Sequence, residues 1–465
     1  MQRFDLVIRN GKAILPAQGE HAVDIATRDG RIAALLSPGT PADAAETLDA
    51  AGLTVMPGAI DVHLHLGHGK DISRPRVPQD AAQETGAAAS GGVTAFIPYP
   101  MATEPFETIF DDVRSVTEAG ARIDFGYHFI ISTEEQLAGV ARYATEFGAP
   151  SFKIFMNNRG GEGARLGLPD IDDGFLLRLC ESAAASGGMV CPHPETIELA
   201  WVTRKRALAA DPNGTGGLAT WNASRPPFVE ADAVQRAAYI AGTAGCPLYV
   251  VHTSSAEALQ AALRLRRSGR TVHVETCPHY LTHDVAWSGG DVGKINPPLR
   301  EAADREALWQ GIRDGSVDTV ATDHVHRDVA AKAGGIWNAS PGCPGLETLL
   351  PVMLSEGHFA RGISLARIAE LVATNPARIM GLDRKGAIAV GLDADFALVD
   401  LNDTTEISSA RTISSAGYSI YDGWKLKGRV VHTIVRGAFA MRDGALDDAC
   451  IGRGRYIRRR LTAAI

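Results

Sequence analysis

The sequence predicts an α/β protein, a (β/α)8 TIM barrel with a small β-sandwich domain formed by both chain termini. Three observations carry this reading. Eight short, β-rich apolar runs occupy the middle of the chain, at residues 59–64, 93–98, 123–131, 151–156, 189–193, 248–252, 271–276 and 319–323. Most are separated by stretches with helical spacing, among them 134–147, 173–185, 231–244 and 255–267, and alternating strands and helices imply a parallel sheet. Both chain ends read instead as strands broken by tight turns.

In chain order, a first run begins at Phe4 and stops at Asn10-Gly11, a second starts at Ala22, and the hairpin signal Asp29-Gly30 leads into a run from Arg31 to Leu36. Residues 1–57 are therefore expected to form one part of the sandwich, and residues 58–385 the barrel. From residue 386 the strand pattern returns, with Phe396-Ala397-Leu398-Val399-Asp400, the run 430–435 and the turn Asp443-Gly444, so residues 386–465 should complete the sandwich and end in a tail. That tail is basic, with Arg453, Arg455, Arg458, Arg459 and Arg460, and is expected to be solvated or to meet a neighbouring subunit.

Composition narrows the function. With 465 residues and 45% apolar content the chain can bury one large core and a satellite. A formal charge of -8, with no basic stretch outside the tail, leaves no electrostatic footprint for nucleic acid. Nowhere do eighteen apolar residues run together, so no membrane partner is expected. The strand-like Phe4-Asp5-Leu6-Val7-Ile8-Arg9 follows the start directly, without the apolar core of an export signal, which suits a cytoplasmic protein. Six scattered cysteines without a CxxC pair suit reduced core thiols.

The chemistry sits at the C-terminal ends of five runs: His63 and His65, Lys153, His193, His252, and Asp323. Barrels build their active sites at that face. Strand side chains alternate, so His63 and His65 point the same way and can grip one ion. An isolated HxH is as easily a pair of satisfied core histidines. Recurrence of histidine and carboxylate at other strand ends tips the balance, because borderline divalent metals take these ligands. Lys153 lies in the apolar run Phe152-Lys153-Ile154-Phe155-Met156. Burial lowers a lysine pKa toward the neutral amine, which can add carbon dioxide to give a carbamate able to bridge two metals. The alternative is a lysine paired with a carboxylate.

Together these pieces resemble the hydantoinase, dihydropyrimidinase and allantoinase branch of the amidohydrolase superfamily. The resemblance covers nearly the whole chain, through Gly58-Ala59-Ile60-Asp61-Val62-His63-Leu64-His65, the lysine run, Val251-His252-Thr253-Ser254, Glu275-Thr276-Cys277-Pro278-His279-Tyr280-Leu281, Lys294-Ile295-Asn296-Pro297-Pro298-Leu299-Arg300, Ala321-Thr322-Asp323-His324, Thr374-Asn375-Pro376-Ala377 and Lys385-Gly386-Ala387-Ile388-Ala389-Val390-Gly391. It implies that His63, His65 and Asp323 hold one metal, that His193 and His252 hold another, and that Lys153, carboxylated by carbon dioxide, bridges them. The implied cofactors are two divalent ions per subunit, zinc by preference. The implied substrate is a small cyclic amide, ureide or imide whose ring C–N bond is hydrolysed, in a homo-oligomer of two or four chains. Two cations roughly 3.5 to 4 Å apart sharing a water lower its pKa and polarise the substrate carbonyl. Asp323 then accepts the proton and returns it to the leaving nitrogen. Backbone near Asn296 and Pro341 is implied to receive the ring amide.

The sequence departs from the pattern in places. Hydantoinases carry a tyrosine five positions after the bridging lysine, whereas this chain has Asn158, whose amide can donate with shorter reach. Residues 157–172, with Arg159 and Arg165, look longer than the hydantoinase loop. Dihydroorotases place an arginine in HxHxR, whereas Leu66 and Gly67 follow His65 here. Cys277-Pro278-His279-Tyr280 leans toward allantoinase, the alternative activity, and the segment 195–227 leans toward hydantoinase. A non-catalytic scaffolding relative has no reason to keep all six ligand positions. His324 is expected to orient the site, and His21, His68, His326, His358 and His432 are not expected to bind metal.

Overall fold

The computed structural model describes residues 3–461. Strand Ala59–His65 is buried at every position, as a parallel strand covered on both faces must be. It pairs in parallel with Val93–Pro98, which pairs with Asp124–Phe125. Phe129–Ile130 pairs with Ser151–Phe155, which continues through Met189–His193, Leu248–Val250 and Val272–Thr276 to Thr319–Val320. His324–Val325 then pairs back onto Ala59–His65. Every one of these pairings is parallel. The runs 123–131 and 319–325 each supply two short pieces, one to a four-stranded and one to a six-stranded sheet.

Local chemistry explains where the strands stop. Asp323 has φ of 48° and His252 φ of 41°, both in the left-handed region that breaks a ladder. The run expected to reach His252 therefore ends at Val250, and the run expected to reach Asp323 ends at Val320 and resumes at His324. Helices fill the intervals where helical spacing places them, at Glu134–Thr145, Asp173–Ala185, Pro227–Thr243 and Ala256–Arg267. Thr133, Asp172 and Ser255 cap three of these by accepting a backbone N–H three residues on, and Gln136 completes a capping box with Thr133.

The chain ends make two further sheets. Four strands from residues 4–49 form one, in the order Arg31–Leu36, Asp24–Arg28, Phe4–Arg9, Ala44–Asp49. The second has seven strands and mixes the termini, because Phe396–Glu406 runs antiparallel both to Thr54–Pro57 and to Lys425–Val435. One apolar cluster joins Leu6, Ile8 and Ile25 to Val55, Phe396, Leu398 and Ile434.

The expectation for the basic tail needs correcting. Arg459 is buried and donates to the Met380 carbonyl (3.1 Å), to Ser151 Oγ (2.7 Å) and to the Tyr127 carbonyl. Tyr456 forms a bridge with Phe125. These three acceptors satisfy the guanidinium's N–H donors where solvent does not reach, whereas Arg453, Arg455, Arg458 and Arg460 remain exposed. All six cysteines are free and buried. Among the described residues no helix is long and apolar enough to cross a membrane.

Candidate metal centre and substrate cavity

His63 and His65 emerge on one face of their strand, two residues apart. His63 Nε2 lies 3.1 Å from Asp323 Oδ1 and 3.1 Å from Lys153 Nζ, and His65 Nε2 lies 3.9 Å from the same Asp323 oxygen. Ligand-type atoms of His63, His65 and Asp323 all fall within 4.8 Å of one another. Across the centre, His193 Nδ1 and His252 Nε2 are 2.8 Å apart, and the rings of His63 and His252 stack at 5.3 Å. All six expected ligands thus meet in one place. His65, Lys153, His193, His252 and Asp323 also line a single cavity with Asn158, Asn296 and Pro341, so the expected substrate-contacting residues share it.

Burial sets the protonation states. It holds the imidazoles of His63, His65 and His252 well below their ordinary pKa, with Lys153 next for the first two and His193 next for the third. His193 is lowered by burial too. Neutral imidazole is the form a metal requires. Burial also pushes Lys153 down. Among the described residues no carboxylate lies within ion-pair distance of its amine, whose neighbours are His63 Nε2 and the Tyr99 ring, 4.5 Å away. Burial pushes the Asp323 carboxyl up to about 7.

The donor set fits divalent metal. His65 Nδ1 and His252 Nδ1 are buried without partners among the described residues, and an N–N approach of 2.8 Å between two neutral imidazoles is satisfied either by one shared proton or by a cation that takes both lone pairs. The strained φ values of His252 and Asp323 fall at two of these positions, where strain of about 1–3 kcal/mol each persists only if the surroundings over-determine it. They do so here: the His252 N–H donates to Glu275 Oε1 at 2.8 Å, and Thr322, next to Asp323, donates through Oγ1 and N to Asp61 at 2.5 and 3.2 Å.

Three carboxylates to which the sequence assigned no role brace the cluster and its surroundings. Glu275 Oε1 is 2.6 Å from His63 Nδ1, while Oε2 accepts the Tyr249 hydroxyl at 2.9 Å, and burial pushes the group up to about 8. Asp61 accepts the His63 N–H at 3.1 Å. Glu195 accepts Asn157 at 2.9 Å and Asn296 at 3.2 Å and pairs with Arg225 at 2.8 Å. The available signal was a strand-borne carboxylate inside an apolar run, as in Val274-Glu275-Thr276. The His324 ring lies within 3.1 Å of Glu84 Oε2 and accepts the Gly345 N–H, apart from the clustered side chains. His68 pairs with Asp80 and His21 is exposed.

Neutral imidazoles, a carboxylate and an unpaired lysine amine at the C-terminal ends of parallel strands define the class: an α/β protein with a metal-type centre at the functional face of its sheet. Comparison with known proteins sharpens this. Residues 245–440 match the model of the amidohydrolase family. The chain is 31% identical to the L-hydantoinase of Paenarthrobacter aurescens over 98% of both chains, and 35% identical to the allantoinase of Solibacter usitatus over 93% of both. Its structure superposes on that of the dihydropyrimidinase of Brevibacillus agri with a TM-score of 0.88 at 28% identity, over 98% of this chain and 99% of the other. The chain belongs to the amidohydrolase family, in the branch that holds the hydantoinases, dihydropyrimidinases and allantoinases.

Proposed function

We propose that this enzyme is a metal-dependent hydrolase that opens the ring C–N bond of a small cyclic amide, ureide or imide. The observation that carries the reading is the convergence of His63, His65, Lys153, His193, His252 and Asp323 on one cavity, five of them lining it and His63 within 3.1 Å of both Asp323 and Lys153. His63, His65 and Asp323 would hold one zinc-type ion, His193 and His252 a second, and Lys153, as its carbamate, both. Bound there, two divalent ions supply Lewis-acid polarisation of the amide carbonyl and a water of lowered pKa.

The protein's own groups do the rest. Asp323, beside both His63 and the cavity, would accept the proton of the attacking water and deliver it to the departing ring nitrogen. Asn158 Nδ2 is buried, lacks a partner among the described residues and belongs to the lining of the same cavity, which suits it to donate to the carbonyl oxygen as charge develops there. Its position is held by its own backbone, whose carbonyl accepts the Ile171 N–H at 2.7 Å. Asn296 Oδ1, also without a partner, and the backbone at Pro341 would take the ring amide.

In this reading the parallel strands close as an eight-stranded barrel of residues 58–385, supported by the return pairing of His324–Val325 onto Ala59–His65. Residues 1–57 and 386–465 form the sandwich, supported by their shared apolar cluster. A cytoplasmic homo-oligomer of two or four chains is the form we expect. The test is a panel of hydantoins, dihydropyrimidines, allantoin and cyclic imides offered to metal-replete enzyme. Ring opening of at least one class is expected, and inertness toward all four would overturn the reading.

A further inference from the structure

Two guanidiniums face the substrate cavity with nothing to hold them. Arg165, on the short helical turn Glu162–Leu166, and Arg327, two residues beyond His324–Val325, both line it. Neither makes a hydrogen bond or ion pair with another described residue. The contrast with Arg159 on the same loop is direct, since Arg159 is spent on Asp173 at 2.5 Å and Glu198 at 3.0 Å. Nearby carboxylates are already engaged. Glu162 accepts the Trp201 indole N–H at 3.0 Å and faces Arg204 at 3.6 Å, and Asp71 accepts Ser73 at 2.8 Å and faces Arg76 at 3.5 Å.

We propose that Arg165 and Arg327 form an anion-binding subsite, and that the preferred substrate is a cyclic amide bearing a carboxylate on the ring or on a short side chain. The proposal rests on the hydrolytic reading above. Two like charges turned toward one cavity repel, and a ligand carboxylate removes that repulsion while accepting from both in the forked geometry guanidinium favours. Burial disfavours the charged form of Arg327, and Arg165 disfavours it further. Apolar walls at Ile72, Met101 and Val325 exclude water from part of the same cavity, which strengthens an ion pair formed inside it. Arg327 is only partly exposed whereas Arg165 is exposed, so Arg327 should contribute more.

The test uses matched pairs: a hydantoin and a dihydrouracil, each with a carboxylate directly on the ring or one methylene away, against the primary amide of the same shape. Metal-replete enzyme should favour the acid by about 10- to 100-fold in kcat/KM in at least one pair, the span of one or two hydrogen bonds to charged groups. Arg327→Gln should cut that ratio by about ten-fold, and the double variant with Arg165→Gln should bring it near one. A folding defect lowers both members of a pair together and leaves the ratio intact. Equal handling of acid and amide in every pair, or a preference that survives the double variant, overturns the subsite while ring opening upholds the hydrolytic reading. Calorimetric Kd values separate the reverse case: an acid bound at least about ten-fold more tightly than its amide but never opened upholds the subsite and overturns the hydrolytic reading.

Discussion

Replacing Glu275 with glutamine tests how the proposed metal centre is supported. Glu275 Oε1 faces His63 Nδ1 at 2.6 Å and the His252 N–H at 2.8 Å, and Oε2 accepts the Tyr249 hydroxyl at 2.9 Å. Glutamine can keep its carbonyl toward the two histidines and turn its NH2 toward Tyr249, whose hydroxyl proton then goes to Thr319 Oγ1, 2.6 Å away. In metal-free protein Glu275 is pushed up to about 8 by burial, so at pH 7 it already carries a proton and glutamine is its neutral copy. Metal on His63 changes this, because a ligating imidazole donates its other N–H to an ionised carboxylate that raises its basicity. Glu275→Gln should therefore leave the metal-free Tm close to that of the parent, lower zinc affinity by about 10- to 100-fold, and shrink the Tm gain on adding zinc. Glu275→Ala instead takes the acceptor from the His63 ring N–H and the His252 backbone N–H, at about 1–3 kcal/mol each, roughly 2–6 kcal/mol of stability in the metal-free fold, while Tyr249 keeps Thr319. Chelator competition and thermal melts with and without zinc measure both quantities. A glutamine variant that binds zinc as tightly as the parent, or that is as unstable without metal as the alanine variant, would refute the reasoning.

Other expectations follow from the same geometry. Asp323→Asn should hold the fold and lose about 10²- to 10⁴-fold in kcat, so near-normal turnover would remove its proton-transfer role. Asn158→Ala should lower kcat by about 10- to 10³-fold with little change in KM if its amide serves the transition state, whereas a rise in KM alone would make it a substrate-selecting contact. Lys294, buried over the Trp221 ring at 4.2 Å, is pushed down to about 7 by burial and then by Arg225. The unfolded chain keeps that proton up to about pH 10.4, so folded stability falls as pH drops from there toward 7. Lys294→Met should flatten this slope in denaturant midpoints between pH 9.5 and 7.5, and an unchanged slope would contradict the shift.

The strands, and the gathering of these side chains at one end of them, were legible from two sources: apolar runs at regular intervals with histidines two apart on one strand face, and the resemblance to the hydantoinase branch, which points to Lys153, His193, His252 and Asp323. The sequence also marked Lys153, since an ammonium in the middle of Phe152-Lys153-Ile154 must either find a carboxylate or lose its proton. What stayed hidden depended on distance across the fold. Glu275 lies 212 positions from His63, and no local pattern couples them. The breaks at Val250 and Val320 come from left-handed backbone at His252 and Asp323, which tertiary bonds to Glu275 and Asp61 stabilise and propensity does not foresee. The tail misled for a related reason: five arginines look like a solvated stretch, but Arg459 finds carbonyls at the far side of the strands. Arg159 and Arg165 looked equivalent in sequence, and only the fold distinguishes the one tied to Asp173 and Glu198 from the one left facing the cavity.

Ring opening followed at graded metal occupancy tests the central claim most directly. Enzyme stripped of metal and reloaded with zinc should gain hydrolysis of a cyclic amide in step with occupancy, reaching its maximum at about two ions per chain. Full activity in the stripped enzyme, or saturation at no more than about one ion per chain with no gain beyond it, would contradict a paired metal centre built on His63, His65, Lys153, His193, His252 and Asp323.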